Sequence, residues 1–156
     1  MIKIISGDTR AGKTTHLFRE YAPNPDADGI LQPVVDGIRC NYYLKTRELR
    51  KLEVTGASGE DVQKIGNYCF STAEFERTRN YLYAIPDQNR ITIIDEIGPL
   101  ELEGRGMEPG LRELITIHAV DPHLLILVVR SKILDTFFET YAVDRNRCEI
   151  EEFRRV

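Results

Sequence analysis

Apolar positions along the chain change their period several times, and each change marks an element. Residues 2–6 form a short apolar run that enters a glycine-bounded loop, 7–12. Leu17, Phe18 and Tyr21 then fall on one side of a predicted helix,. That helix stops by residue 21 or 22, because Pro23 and Pro25 disfavour helical geometry in the residues before them,. A turn-rich stretch, 23–29, leads to a predicted strand over 30–35. Next, Ile38, Cys40, Tyr42 and Leu44 alternate with Arg39, Asn41 and Tyr43, and residues 45–47 can turn the chain back into 49–54,. The pattern predicts an antiparallel ribbon at a sheet edge, with charges that discourage pairing to other molecules. Residues 56–59 read as a loop.

Ser71 and Glu74 have capping-box spacing, and Phe75, Thr78, Leu82 and Ile85 recur at helical intervals before Pro86,. Residues 90–95 predict a strand covered on both faces, since only Thr92 interrupts the apolar run from Ile91,. A glycine-rich loop, 98–106, precedes a helix that starts at Pro109 with Leu111, Leu114, Ile115 and His118 inward,. A central strand over 124–129 and a helix carrying Ile133, Leu134, Phe137, Phe138 and Tyr141 come next, and then a short strand near 148–153. Strands alternating with helices predict an α/β fold, a mostly parallel sheet with helices on both faces and the ribbon at its edge.

A length of 156 residues suits one domain, 1–156,. The net charge of −4 supplies no basic field, which argues against a nucleic-acid partner,. The longest purely apolar run, 124–129, is far short of the roughly 20 residues that span a bilayer,. Residues 1–5 enter a strand at once, with no leader pattern, so the expectation is a cytoplasmic protein without a membrane anchor,. Cys40, Cys69 and Cys148 are widely spaced and odd in number, and read as reduced thiols,.

The segment Gly7-Asp8-Thr9-Arg10-Ala11-Gly12-Lys13-Thr14 satisfies G-x-x-x-x-G-K-[ST] between a strand and a helix,. Gly7 and Gly12 let the backbone wrap with its N–H groups facing phosphate oxygens, aided by the positive end of the following helix. Lys13 supplies a point charge for the β- and γ-phosphates, and the Thr14 hydroxyl is a natural Mg²⁺ ligand. The whole stretch from Gly7 to Thr15 is therefore a candidate nucleotide-binding segment. The strand 91–94 ends in Asp95 and Glu96, the form of a Walker B segment. Asp95 is the candidate second metal ligand, and Glu96 the candidate that polarises the attacking water.

With these residues in place, the chain resembles a family of small P-loop nucleoside-triphosphatases that includes the human cancer-related nucleoside-triphosphatase. The likeness rests on the N-terminal P-loop and on Ile94-Asp95-Glu96-Ile97-Gly98-Pro99-Leu100-Glu101-Leu102, with Ile65-Gly66-Asn67-Tyr68 resembling a Gly-x-Tyr element before the family's middle helix. The resemblance implies a RecA-like core and slow, Mg²⁺-dependent hydrolysis of ATP, GTP and other nucleoside triphosphates with loose base preference. The family's Glu-x-Arg stretch is replaced here by Val34-Val35-Asp36-Gly37-Ile38-Arg39, and Arg10 is unusual within the loop.

Weaker candidates remain. Arg130, at the carboxyl end of a strand, is a candidate for the nucleotide site or for a structural ion pair,. Arg105 is a candidate internal arginine finger but reads first as a solvated loop residue,. Glu101 is a candidate for water orientation or for capping the loop. Tyr42, Tyr43, Arg39, Lys45, Arg47 and Arg50 suggest base stacking, against the simpler reading of a charged, solvated edge,. His16, His118 and His123 share no ligand spacing. Hydrolysis leads; a small kinase and a nucleotide-dependent switch that engages a protein partner are the competing classes.

Overall fold

The computed structural model describes residues 1–8, 12–56, 59–85, 90–120 and 122–154. Its main sheet begins with five parallel strands. In spatial order these are β10 (Cys148–Glu152), β1 (Ile2–Gly7), β9 (Leu124–Arg130), β8 (Ile91–Ile97) and β2 (Ala27–Leu31). The edge is antiparallel: β4 (Ile38–Tyr43) pairs with β2, with the two-residue β3 (Val34–Val35) and with β5 (Leu49–Lys51). A separate hairpin joins β6 (Val62–Ile65) to β7 (Tyr68–Ser71) and touches the ribbon through a bridge from Phe70 to Glu53.

Alternation in the central strands explains why both faces are covered. In β9, Leu125, Leu127 and Val129 enter one core, while Ile126 and Val128 enter the other. The smaller core, with Ile5, Leu31 and Ile93, is closed by Leu17 of α1 (Lys13–Tyr21). The larger is closed by α2 (Thr72–Ala84), α4 (Gly110–His118) and α5 (Leu134–Tyr141), through Phe75, Leu82, Leu111, Leu114 and Phe137. A short helix, α3 (Pro99–Leu102), lies inside the stretch expected to be only loop. Each strand thus uses its two-residue period twice, once per face.

The ribbon corrects three expectations. The strand expected over 30–35 is broken: β2 starts earlier, at Ala27, and Gln32-Pro33 separates it from β3, which no longer touches β8. Pro33 has no N–H to donate, though its carbonyl accepts from Cys40 N at 2.8 Å, so the chain stays along β4 while leaving β8,. The ribbon, read as a charged, solvated edge, is exposed at Lys45, Arg47 and Arg50 but not throughout, with Asn41 at 0% and Tyr43 at 3% exposure. Both side chains donate to the Glu74 carboxylate of α2, at 3.0 and 2.5 Å, and Arg50 Nε joins them at 3.1 Å. Half of the expected capping box forms, because Ser71 Oγ accepts from Glu74 N at 3.1 Å while the Glu74 side chain turns to the ribbon instead. That shared carboxylate fastens the ribbon to α2. Finally, Gly66-Asn67 is the turn of the unforeseen β6–β7 hairpin.

Helix ends otherwise follow the pattern. α1 stops at Tyr21 ahead of Pro23, and α2 stops at Ala84; Pro86, on which that stop was argued, lies outside the described residues. Among the described residues no helix is long and apolar enough to cross a membrane.

Candidate active site

The parallel strands deliver the motif residues to one end of the sheet. β1 ends at Gly7 and α1 begins at Lys13, after Gly12 in a left-handed conformation with φ 95°. Glycine tolerates that geometry without the clash a side chain would bring. Gly7 is held closely for a second reason: a Cβ there would come within 2.4 Å of the Phe153 carbonyl, just past β10. β9 lies between β1 and β8, and its last residue, Arg130, is in register with Gly7.

Lys13 is buried, and its Nζ donates to the carbonyls of Gly7 and Asp8 at 3.1 and 2.7 Å. Thr14 Oγ1 donates to Asp95 Oδ2 at 2.7 Å, and Gln32 N donates to the same oxygen at 3.0 Å. Asp95 is 1% exposed, and its Oδ1 has no hydrogen-bond partner. Burial pushes the Asp95 carboxyl above the usual carboxylate range, against the pull of the Gln32 N–H and the Thr14 hydroxyl,. A buried, unpartnered carboxylate oxygen beside a hydroxyl is a hard-oxygen donor set. It fits Mg²⁺, which keeps most of its shell for water and substrate phosphate.

Glu96 accepts from Arg39 Nη1 at 3.1 Å and from Arg130 Nε at 2.5 Å. In a regular strand, neighbouring side chains point to opposite faces. Here Ile94 pairs with Leu127 but Ile97 with Val129, so β8 carries one extra residue across Asp95-Glu96. Such a bulge re-aims side chains, and both carboxylates serve the same end of the sheet.

A cavity of about 1100 Å³ runs from Gly12, Lys13, Thr14 and Thr15 past Glu96, Arg39 and Arg130 to the ribbon and the hairpin. The structure therefore brings together Gly7, Asp8, Gly12, Lys13, Thr14, Thr15, Asp95, Glu96 and Arg130. Thr9, Arg10 and Ala11 lie outside the described residues. Arg130 lines the cavity and forms the ion pair offered for it, with Glu96. Arg105 pairs with Glu103 at 3.3 Å on an exposed surface, as its simpler reading held. Glu101 caps the loop: its oxygens accept from Gly98 N at 3.0 Å and Met107 N at 3.2 Å. The cluster suggested for base stacking is divided, with Tyr43 turned to α2 and Tyr42 lining the cavity beside Phe18.

Sequence reading named Arg39 only in the suggested stacking cluster, not as a partner of Glu96, and missed the main chain of Gln32. One signal was present: ligands of open α/β sheets gather at the carboxyl ends of parallel strands, and the segment after β2 runs through both residues.

A P-loop motif between strand and helix, with buried Asp95 and half-buried Glu96 on a strand once removed, defines a RecA-like P-loop nucleotide-binding protein. A model of the NTPase family matches residues 3–152, and the chain belongs to that family. The chain is 28% identical to the nucleoside-triphosphatase THEP1 of Archaeoglobus fulgidus, across 97% of this chain and 96% of that protein. The crystal structure of THEP1 from Aquifex aeolicus superposes with a TM-score of 0.74 at 18% identity, covering 99% of this chain and 90% of that one. The solution structure of a human cancer-related nucleoside triphosphatase gives 0.67 at 20% identity, covering 96% and 87%. At these identities the two structures speak for the fold.

Proposed function

We propose that the chain is a Mg²⁺-dependent nucleoside-triphosphatase, working as one unit over 1–156 and converting ATP, GTP and related triphosphates to the diphosphate and phosphate with loose base preference. The observation that carries this reading is that Lys13, Thr14 and Glu96 line one cavity while Thr14 is hydrogen-bonded to buried Asp95, whose Oδ1 is left unpartnered. Free thiols at Cys40, Cys69 and Cys148 suit a reducing cytoplasm,.

Each group has a task in this reading. Backbone N–H groups of residues 7–15 cradle the phosphates, and Lys13 exchanges the carbonyls of Gly7 and Asp8 for β- and γ-phosphate oxygens,. Thr14 and Asp95 would hold Mg²⁺, which would supply charge stabilisation on those oxygens. Glu96 takes the proton of the attacking water. Arg39 and Arg130, which neutralise Glu96 before substrate arrives, turn to the γ-phosphate and leave the carboxylate free,. The geometry is set before binding, because Glu96 hangs on a buried strand and Arg39 on a ribbon fixed through Glu74.

The test is phosphate release from ATP, GTP, CTP and UTP with Mg²⁺ and no acceptor, for the native chain and for Lys13→Ala. Release that requires Lys13 is expected; release of similar rate from Lys13→Ala would sink the reading.

A further inference from the structure

The cavity, of about 1100 Å³, continues past Glu96 to the ribbon and the hairpin, on the side away from β1. There, Val34 and Leu49 of the ribbon are 59% and 49% exposed, and Tyr68 of the hairpin 56%, yet all three line the same cavity. Exposed apolar side chains gathered in a concave site, instead of scattered singly, mark a binding surface. Tyr68 and Phe70 lie nearly parallel, their planes 14° apart and their centroids 6.3 Å apart. Arg39 and Glu53 line the same cavity as these rings: the Phe70 backbone bridges to Glu53, and Glu53 Oε1 accepts from Arg39 N at 3.5 Å.

The order of groups along a P-loop tells which end of the triphosphate faces this region. Loop N–H groups hold the α- and β-phosphates, the lysine reaches β and γ, and the catalytic carboxylate addresses the nucleophile on the far side of γ. The apolar region adjoins Glu96 through Arg39, so it opens where a nucleophile enters and not where the nucleoside leaves. Water needs no ring-lined chamber.

We infer that the chamber bounded by Val34, Arg39, Leu49, Glu53, Tyr68 and Phe70 binds a second substrate, an uncharged alcohol bearing a planar heteroaromatic ring, of nucleoside size and chemistry, and that the chain transfers the γ-phosphoryl group to it. The ring stacks on Tyr68 and the hydroxyl points to Glu96. The hydroxyl oxygen forms a bond to the γ-phosphorus as the bond from that phosphorus to the β–γ bridging oxygen breaks. The bonding pair leaves with the diphosphate, and the hydroxyl proton passes to the Glu96 carboxylate. The products are a nucleoside diphosphate and a phosphomonoester. Hydrolysis is then the same step with water in the alcohol's place, so the inference rests on Glu96 serving the attacking oxygen, as proposed above.

The experiment has two arms, both with the full chain, Mg²⁺ and ATP labelled in the γ-phosphate. One arm contains no acceptor; the other contains adenosine, guanosine, cytidine or uridine at millimolar concentration, and the labelled products are separated. Label is expected on the nucleoside, with free phosphate reduced in the same tube. Tyr68→Ala and Val34→Ser, from two separate exposed positions, are expected to raise the KM for the nucleoside by about tenfold. Label only in free phosphate for all four nucleosides overturns the acceptor site and leaves the triphosphatase reading standing. A KM increase for ATP in place of the nucleoside also overturns it, by showing that the nucleotide's own base fills the chamber. Label on a nucleoside without phosphate release in the acceptor-free arm sustains the acceptor site and removes the hydrolase reading.

Discussion

Replacing Glu101 by glutamine removes a buried charge whose cost grows with pH. Desolvation raises this carboxyl to about 7 from an ordinary value of 4.5, with Glu108 adding in the same direction and the N–H groups of Gly98 and Met107 pulling the other way. The folded value lies above the unfolded one, so between the two the folded chain binds more protons. Stability is therefore complete below the unfolded value and is lost as pH rises through the folded one. That gap corresponds to about 3 kcal/mol, of which roughly 2–3 kcal/mol falls between about pH 5 and about pH 8. Glutamine keeps one acceptor for Gly98 N or Met107 N and presents an NH₂ group to the other, a loss of about 1–3 kcal/mol. At about pH 5 the variant is thus expected to be less stable than the native chain. The deficit shrinks by roughly 2–3 kcal/mol by about pH 8, where the two curves meet or cross. Urea unfolding followed by circular dichroism at a series of pH values measures the difference, and groups common to both chains cancel. Parallel stability curves would refute the reasoning, because they would mean that Glu101 does not titrate in this window.

Three further outcomes follow from the site and the sheet. Glu96→Gln is expected to slow single-turnover phosphate release by about 10²–10⁴-fold while ADP affinity, read by calorimetry, changes little; an unaltered rate would remove Glu96 from the chemistry. Asp95→Asn keeps an oxygen for the Thr14 hydroxyl and the Gln32 N–H but loses the charge, so Mn²⁺ affinity measured by electron paramagnetic resonance with ADP present should fall at least about tenfold, the fold surviving,. In Gly29→Ala the new methyl would meet the Ile93 carbonyl at 1.9 Å and require φ of +136°, so a loss of several kcal/mol or failure to fold is expected in thermal melts. A native-like melting temperature would show that β2 and β8 can part more easily than their register suggests.

The central strands and the helices that cover them were legible because burial on both faces imposes long apolar runs and helical repeats, as in 91–94, 124–129 and 72–84. The turn of the chain at Gly7 and Gly12 was legible because close backbone approach and a left-handed conformation demand glycine there. What escaped the sequence depends on partners distant along the chain. Asn41 and Tyr43 alternate as if they faced water, and only the Glu74 carboxylate of α2 makes their burial sensible. Arg39 reaches Glu96 across 57 positions, and alternation reports a side chain's face but not which residue waits there. The β6–β7 hairpin has four-residue strands containing Gln63 and Lys64, too short and too polar to stand out. The break at Gln32-Pro33 was hidden because Ile30 and Leu31 run on towards Val34 and Val35 with a proline that a strand edge would also permit.

The position of β1 dictates when the phosphate site can exist during synthesis. Its two neighbours, β9 and β10, come from residues 124–130 and 148–152, far downstream of β1 in the chain. A chain emerging amino end first at about 5–20 residues per second therefore carries β1 with neither neighbour until residue 130 has appeared, and with only one until residue 152. Gly7 gains its backing from Phe153 one residue later still. In the reading proposed above, triphosphate binding at Gly7 therefore also reports that β10 has docked.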